Sequence, residues 1–200
     1  MKHSGPLLLP ALVLITLGTA RSLPLDWQTI LKSFAKKTQA AVAYRETEHV
    51  GVLYGKIRAS GLWCYERPDH LSDLMLTPVR KQYGMNRKEA WSINARGRRR
   101  TIDLALVPEL RMLAQTLESL LSGQARTLHQ LFHETQRVRP PEWTLTLTPR
   151  PDAGTRTLRS LRLRGRGSTL RDLTLLYRNG DWSHYRLTPV PWRACQNEGL

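Results

Sequence analysis

His129 and His133, four residues apart, are the best-spaced metal candidates in the sequence. On one helix face that spacing lets two imidazoles reach one ion. A helical zinc hydrolase also needs Glu directly after the first histidine, and here Gln130 holds that place. No clear third ligand presents itself, so a solvated helix face is the better reading and no metal is expected. Nucleophilic chemistry is no better supported. There is no Gly-x-Ser-x-Gly elbow, and Ser60 in "ASG" and Ser168 in "GRGST" lack its strand-to-helix context. Cys64 sits mid-strand beside aromatic residues, a setting that suits a buried, structural thiol. A pair of carboxylates can be nominated from the 16 acidic residues, but nothing gives any two a reason to act together. Gly165 and Gly167 lack a phosphate-loop pattern. The expectation is a protein that is not an enzyme and needs no cofactor.

The composition points to a surface instead. With 200 residues and 40% hydrophobic content, the chain suits one domain with a real core. Its first twenty residues read as a secretory signal: Lys2 and His3, an apolar run from Leu7 to Leu17, then Gly18-Thr19-Ala20. That run is too short to span a bilayer comfortably. The domain organisation expected is a signal peptide at 1–20, one domain at 21–188 and a tail at 189–200. Export permits a disulfide between Cys64 and Cys195, although sequence alone leaves two free thiols equally open. The formal charge is +15, carried mostly by arginine, densest in "ARGRRR" (95–100) and "RSLRLRGRG" (159–167). Outside the cytoplasm such a field meets anionic headgroups more readily than nucleic acid, so a transient anionic membrane contact is expected and nucleic acid is not.

The elements needed to build that surface are legible in the periodicities. Residues 26–42 place Trp27, Ile30, Leu31, Phe34, Thr38, Ala41 and Val42 close to one helical face. From Val50 the period becomes two, with Val50, Val52 and Tyr54 on one strand and Ile57 to Tyr65 on the next, and Gly55 between them. Arg67-Pro68-Asp69 breaks the ladder before a strand at Leu71–Thr77. Shorter apolar stretches follow near Tyr83 and Trp91. Pro108–Leu121 and Arg126–Glu134 read as helices, the first with a leucine stripe. "EWTLTLTP", "LRLRGRG", Thr169–Tyr177 and Trp182–Thr188 read as strands, with Asn179-Gly180-Asp181 as a hairpin turn. Helix, strands, two helices, strands: this order predicts an α+β fold, an antiparallel sheet with a few helices on one side. Its aromatic and aliphatic face is the kind of surface that holds a ligand or partner.

The order of these elements, with "SGLWCYERPDHL" after the first hairpin, the "GRRR" turn, the leucine helix and "WTLTLTP" late in the chain, resembles the outer-membrane lipoprotein carrier (LolA-like) family over residues 26–188. The resemblance implies a curved antiparallel sheet, an incomplete β-barrel, whose helices form a lid over an apolar hollow. It implies a periplasmic, monomeric carrier of acylated lipoprotein or glycolipid cargo, loaded by an inner-membrane donor transporter and unloaded to an outer-membrane acceptor. The family's lid-holding arginine before proline matches Arg67. The lining positions expected are Trp63, Tyr65, Leu74, Leu76, Trp143 and Leu145 in the sheet, with Phe34, Leu113 and Leu117 from the lid. The alternative is a periplasmic sensor or accessory domain of the same fold. The family's Gly-Lys-x-Leu-Trp turn is replaced here by "YGMNRKEAWSI".

Overall fold

The computed structural model describes residues 27–94 and 96–198. The expected signal peptide lies outside them. Helix α1 spans Trp27–Ala35, and Ile30, Leu31 and Phe34 form its buried stripe. It stops well before residue 42. Gln39–His49 is already β1, because this stretch pairs along its length with two neighbours: with β2 (Lys56–Glu66) from Gln39 to His49, and with β11 (Trp182–Val190) from Ala41 to His49. Central pairing in the sheet outweighs a helical spacing that continues by coincidence. The alternation at Val50–Tyr54 is not a strand either. Gly51 and Gly55 bracket an exposed loop, and Gly55 takes a left-handed φ of 99°.

The remaining strands are β3 (His70–Thr77), β4 (Lys81–Met85), β5 (Glu89–Ile93), β6 (Arg99–Asp103), β7 (Phe132–Arg139), β8 (Glu142–Pro149), β9 (Leu158–Arg166) and β10 (Thr169–Tyr177). All eleven join one antiparallel sheet in the order β6-β5-β4-β3-β2-β1-β11-β10-β9-β8-β7. The sheet does not close, since β6 and β7 are its two edges. Helices α2 (Pro108–Ser122) and α3 (Ala125–Leu131) interrupt the strands at midpoint, and α4 (Arg193–Gln196) follows the last. The fold is therefore α+β, as the order of elements predicted.

Helix α3 is shorter than its apolar spacing predicted. Phe132, His133 and Glu134 belong to β7, drawn into the sheet by register with Pro149, Thr148 and Leu147. His129 and His133 thus share no helix face; His129 Nδ1 lies 3.2 Å from the Glu134 carboxylate. The C-terminal segment expected as a tail without pattern completes β11 and forms α4.

Two faces follow from the register. The inner face, under α1–α3, carries Leu145 and Leu147 of β8, Leu161 and Leu163 of β9, Leu173 of β10 and Leu187 of β11, none more than 6% exposed. Each such leucine contributes about 1.5–3 kcal/mol by leaving water. Phe34 meets Trp143 edge to face, ring centroids 6.3 Å apart, so α1 is seated on β8. The Trp143 ring lies directly over Gly165, and its indole N–H donates to the Gly167 carbonyl at 2.9 Å. On the outer face Cys64 and Cys195 are joined, packed with Ala41 and against Leu62, Val190 and Trp192.

Candidate functional site

The helices cover the inner face unequally. Over β8 and β9 its leucines are sealed. Across β2–β5 the inner-face residues Trp63, Leu71, Met75, Tyr83 and Met85 are only half-buried. Between α2 and this half lies a slot of about 160 Å³. Leu71 and Met85 form its floor and Ala114 its roof, with Arg87, Arg111 and Glu118 around it. Two contacts tie the helices down at this side. The Arg87 guanidinium donates to Glu118 at 2.8 Å, joining the β4–β5 turn to α2, and Arg87 also lies 3.9 Å from Asp69. Arg67 donates to the Ala35 carbonyl at the end of α1.

A polar-aromatic strip separates the sealed and half-open regions. Tyr44, Trp63 and Tyr185 stand together, with Trp63 centroids 5.0 Å and 4.8 Å from the two tyrosines. The Tyr44 hydroxyl donates to Asp73 at 3.0 Å, and the Trp63 side chain donates to the same carboxylate. Glu46 accepts from Tyr185 and Ser183. Burial pushes the Asp73 carboxyl up to about 6, against the lowering effect of those two donors. Burial likewise raises the Glu46 carboxyl and the Tyr44 and Tyr185 phenols. The site offers an apolar floor, a helical roof and a strip of hydrogen-bonding groups.

The residues expected to line a hollow are distributed by this geometry. Phe34, Trp143 and Leu145 are on the inner side but sealed in the core at 8%, 3% and 1% exposure. Trp63 is half-buried in the strip. Tyr65 is buried on the inner face, its hydroxyl donating to the Pro68 carbonyl at 3.3 Å. Leu113 and Leu117 are half-buried on α2, beside the buried Met112, Thr116 and Leu120. Leu74 pairs with Leu62, one residue out of phase with Trp63, which places it on the outer face. Leu76 is 39% exposed beside the register shift at Ser60/Gly61. The slot residues Leu71, Met85, Arg87 and Glu118 escaped sequence reasoning. The one available signal was parity within β3, where Leu71, Asp73 and Met75 share the inner face.

The arginines of the sheet lie on the side opposite to the helices. Register puts Arg137, Arg164, Arg186 and Arg45 in one outer-face row with Thr144, Asp172 and Ser60, and Arg162 and Arg58 in the next. An open groove of about 430 Å³ runs there, lined by Arg45, Arg58 and Arg186 with His184 and Ser60.

Residues 18–194 match the family described as outer membrane lipoprotein carrier protein LolA-like. The chain belongs to this LolA-like family. Its members are lipid- or lipoprotein-binding domains of the carrier type. No curated protein matches the sequence. Among solved structures, a LolA superfamily protein from Nitrosomonas europaea is similar at 10% identity, covering 80% of this chain and 90% of that one, with a TM-score of 0.42. A DUF1329 family protein from Desulfovibrio piger gives 8% identity, 80% and 88% coverage and a TM-score of 0.48. The MucA/MucB complex structure from Pseudomonas aeruginosa gives 11% identity, 80% and 55% coverage and a TM-score of 0.45.

Proposed function

We propose that this LolA-like chain is a periplasmic carrier, exported by a signal cleaved after Ala20. It holds the acyl chains of lipoprotein or another lipidated cargo between inner and outer membrane. The observation behind this reading is the uneven lid: the half-buried apolar surface of β2–β5 continues under α2 into a slot. At about 160 Å³ the slot is comparable to a cavity that takes one benzene-sized guest. An acyl chain needs more, so loading requires α2 to lift from Leu71 and Met85. Arg87–Glu118 and Arg67–Ala35 are the contacts that yield. Each methylene buried contributes about 0.8 kcal/mol, so a chain is held without covalent chemistry and passes to an acceptor that buries it better. Donor and acceptor are membrane proteins that present and receive an acylated amino terminus or glycolipid.

The test is native mass spectrometry of protein secreted to the periplasm, before and after mixing with a diacylated peptide. The expected result is a lipid-sized adduct that disappears in Trp63→Arg and Leu117→Arg, both half-buried positions, while thermal unfolding stays cooperative. A chain that neither co-purifies with lipid nor takes up the diacylated peptide refutes the carrier reading.

A further inference from the structure

The β1–β2 loop does something the fold does not require. It presents three consecutive large apolar side chains to solvent: Val52 at 88% exposure, Leu53 at 49% and Tyr54 at 110%. The loop is held in shape. Leu53 N–H donates to the Val50 carbonyl at 2.9 Å, and Gly51 N–H donates to Asp181 of the β10–β11 turn at 2.7 Å. It extends from the end of β1 and β2 opposite to Arg67 and the α1 junction. Lys56 follows at once, its ammonium 5.5 Å from the Trp182 ring centroid, and Arg58 is two residues further. Arg58 opens onto the outer-face groove shared with Arg45 and Arg186. No ion pair among the described residues engages these three arginines. The acids nearby are Asp181, which braces the loop, Glu48, which faces inward with Ser183, Glu46, which borders the groove and accepts from Tyr185, and Asp172, which stands opposite Arg186 and lies 3.4 Å from His184.

We propose that Val52, Leu53 and Tyr54 are a membrane anchor, inserted at the headgroup–acyl boundary of an anionic bilayer, with Lys56, Arg58 and the adjoining outer-face arginines on the headgroups. The occupant is a bilayer because of size and charge. Three side chains at a hairpin tip fall far short of the roughly 1,200–2,000 Å² of a stable protein interface. A bilayer needs no complementary shape, only an apolar tip beside cations. A tyrosine at headgroup level is the usual interfacial arrangement. The anchor deepens the carrier reading, giving the carrier a way to pause at a membrane with its inner face clear of the lipid.

The test is flotation of the secreted, full mature protein with vesicles of phosphatidylglycerol and phosphatidylethanolamine, against vesicles of phosphatidylcholine alone. Wild type floats with the anionic vesicles, less so as salt rises. Val52→Asp/Leu53→Asp lowers partition at least tenfold, and Lys56→Ala and Arg58→Ala lower it about fivefold each. Unfolding curves of all variants overlay that of wild type, because the altered groups are exposed. Equal flotation of wild type and the double aspartate variant overturns the anchor, as does an absence of flotation by wild type. Loss of a protein partner by the aspartate variant with vesicle binding unchanged also overturns it, assigning the loop to that partner. The double variant still takes up the diacylated peptide. Failure of uptake by every form refutes the carrier and leaves the anchor standing on flotation.

Discussion

Asp73 on the inner face of β3 provides the most quantitative expectation. Burial raises its carboxyl from the ordinary 3.8 to about 6, even though Tyr44 and Trp63 donate to it. The folded protein therefore prefers the protonated acid. That preference contributes fully below the unfolded value and is lost as pH rises through about 6. The displacement, at about 1.4 kcal/mol per tenfold change in acidity, amounts to about 3 kcal/mol by neutral pH. Asp73→Asn keeps an acceptor for Tyr44 and Trp63 but never ionises. The variant should match wild type within about 1 kcal/mol near pH 3.5 and exceed it by about 3 kcal/mol more at pH 7. For a domain of this size that is roughly 6–12 °C in melting temperature. Urea unfolding at intervals across the range measures it. Glu46, raised for the same reason, leaves a smaller residual slope of the same sign that Glu46→Gln removes. An offset between Asp73→Asn and wild type that does not change with pH would falsify the claim that this carboxylate is held desolvated against the sheet. Cargo that buries the strip further should bind more tightly to Asp73→Asn at neutral pH, and the advantage should fade in acid.

Other expectations follow from the packing. Replacing both Cys64 and Cys195 by serine opens a covalent loop with a sequence separation of 131 and should cost about 4–5 kcal/mol on the chain-entropy model, read as a lower urea midpoint. Gly165→Ala drives a methyl into the Trp143 ring and the Thr169 carbonyl; it should cost about 1–3 kcal/mol and alter tryptophan fluorescence. Arg87→Ala frees α2 from the β4–β5 turn. Hydrogen exchange should quicken in α2 while the unfolding midpoint barely moves, since the pair is exposed.

Much of the fold was legible because its signals are local. Trp143, Leu145 and Leu147 alternate with threonines, and that pattern placed the three on one face of β8. Asn179-Gly180-Asp181 marked the β10–β11 hairpin, where Gly180 takes φ 93°. The helical spacing at Ala41 and Val42 misled because β1 is fixed by two partners distant in sequence, β2 and β11. Leu74 shows the same limit at one residue: its face depends on pairing with Leu62, and the turn through Arg67-Pro68-Asp69 does not announce that register. The arginines of β9 were read correctly as one face of a strand. Which face carried the helices was not readable, because leucine and arginine alternate there equally well in either orientation. Arg87 and Glu118 meet across 31 residues, and no periodicity records such a pair.

The bond between Cys64 and Cys195 also has a mechanical meaning. It closes residues 64–195, from the end of β2 into α4, into a ring and leaves α1, β1 and most of β2 outside it. A protein pulled from its ends can pay out only the chain beyond the two sulfurs, so the ring withholds about 450 Å of extension until it is reduced. Tension applied to the chain ends would draw out α1, β1 and the first part of β2 and spare the ring. The first helix of the lid thereby belongs to the stretch that force can draw off while the other two lid helices stay inside the closed ring.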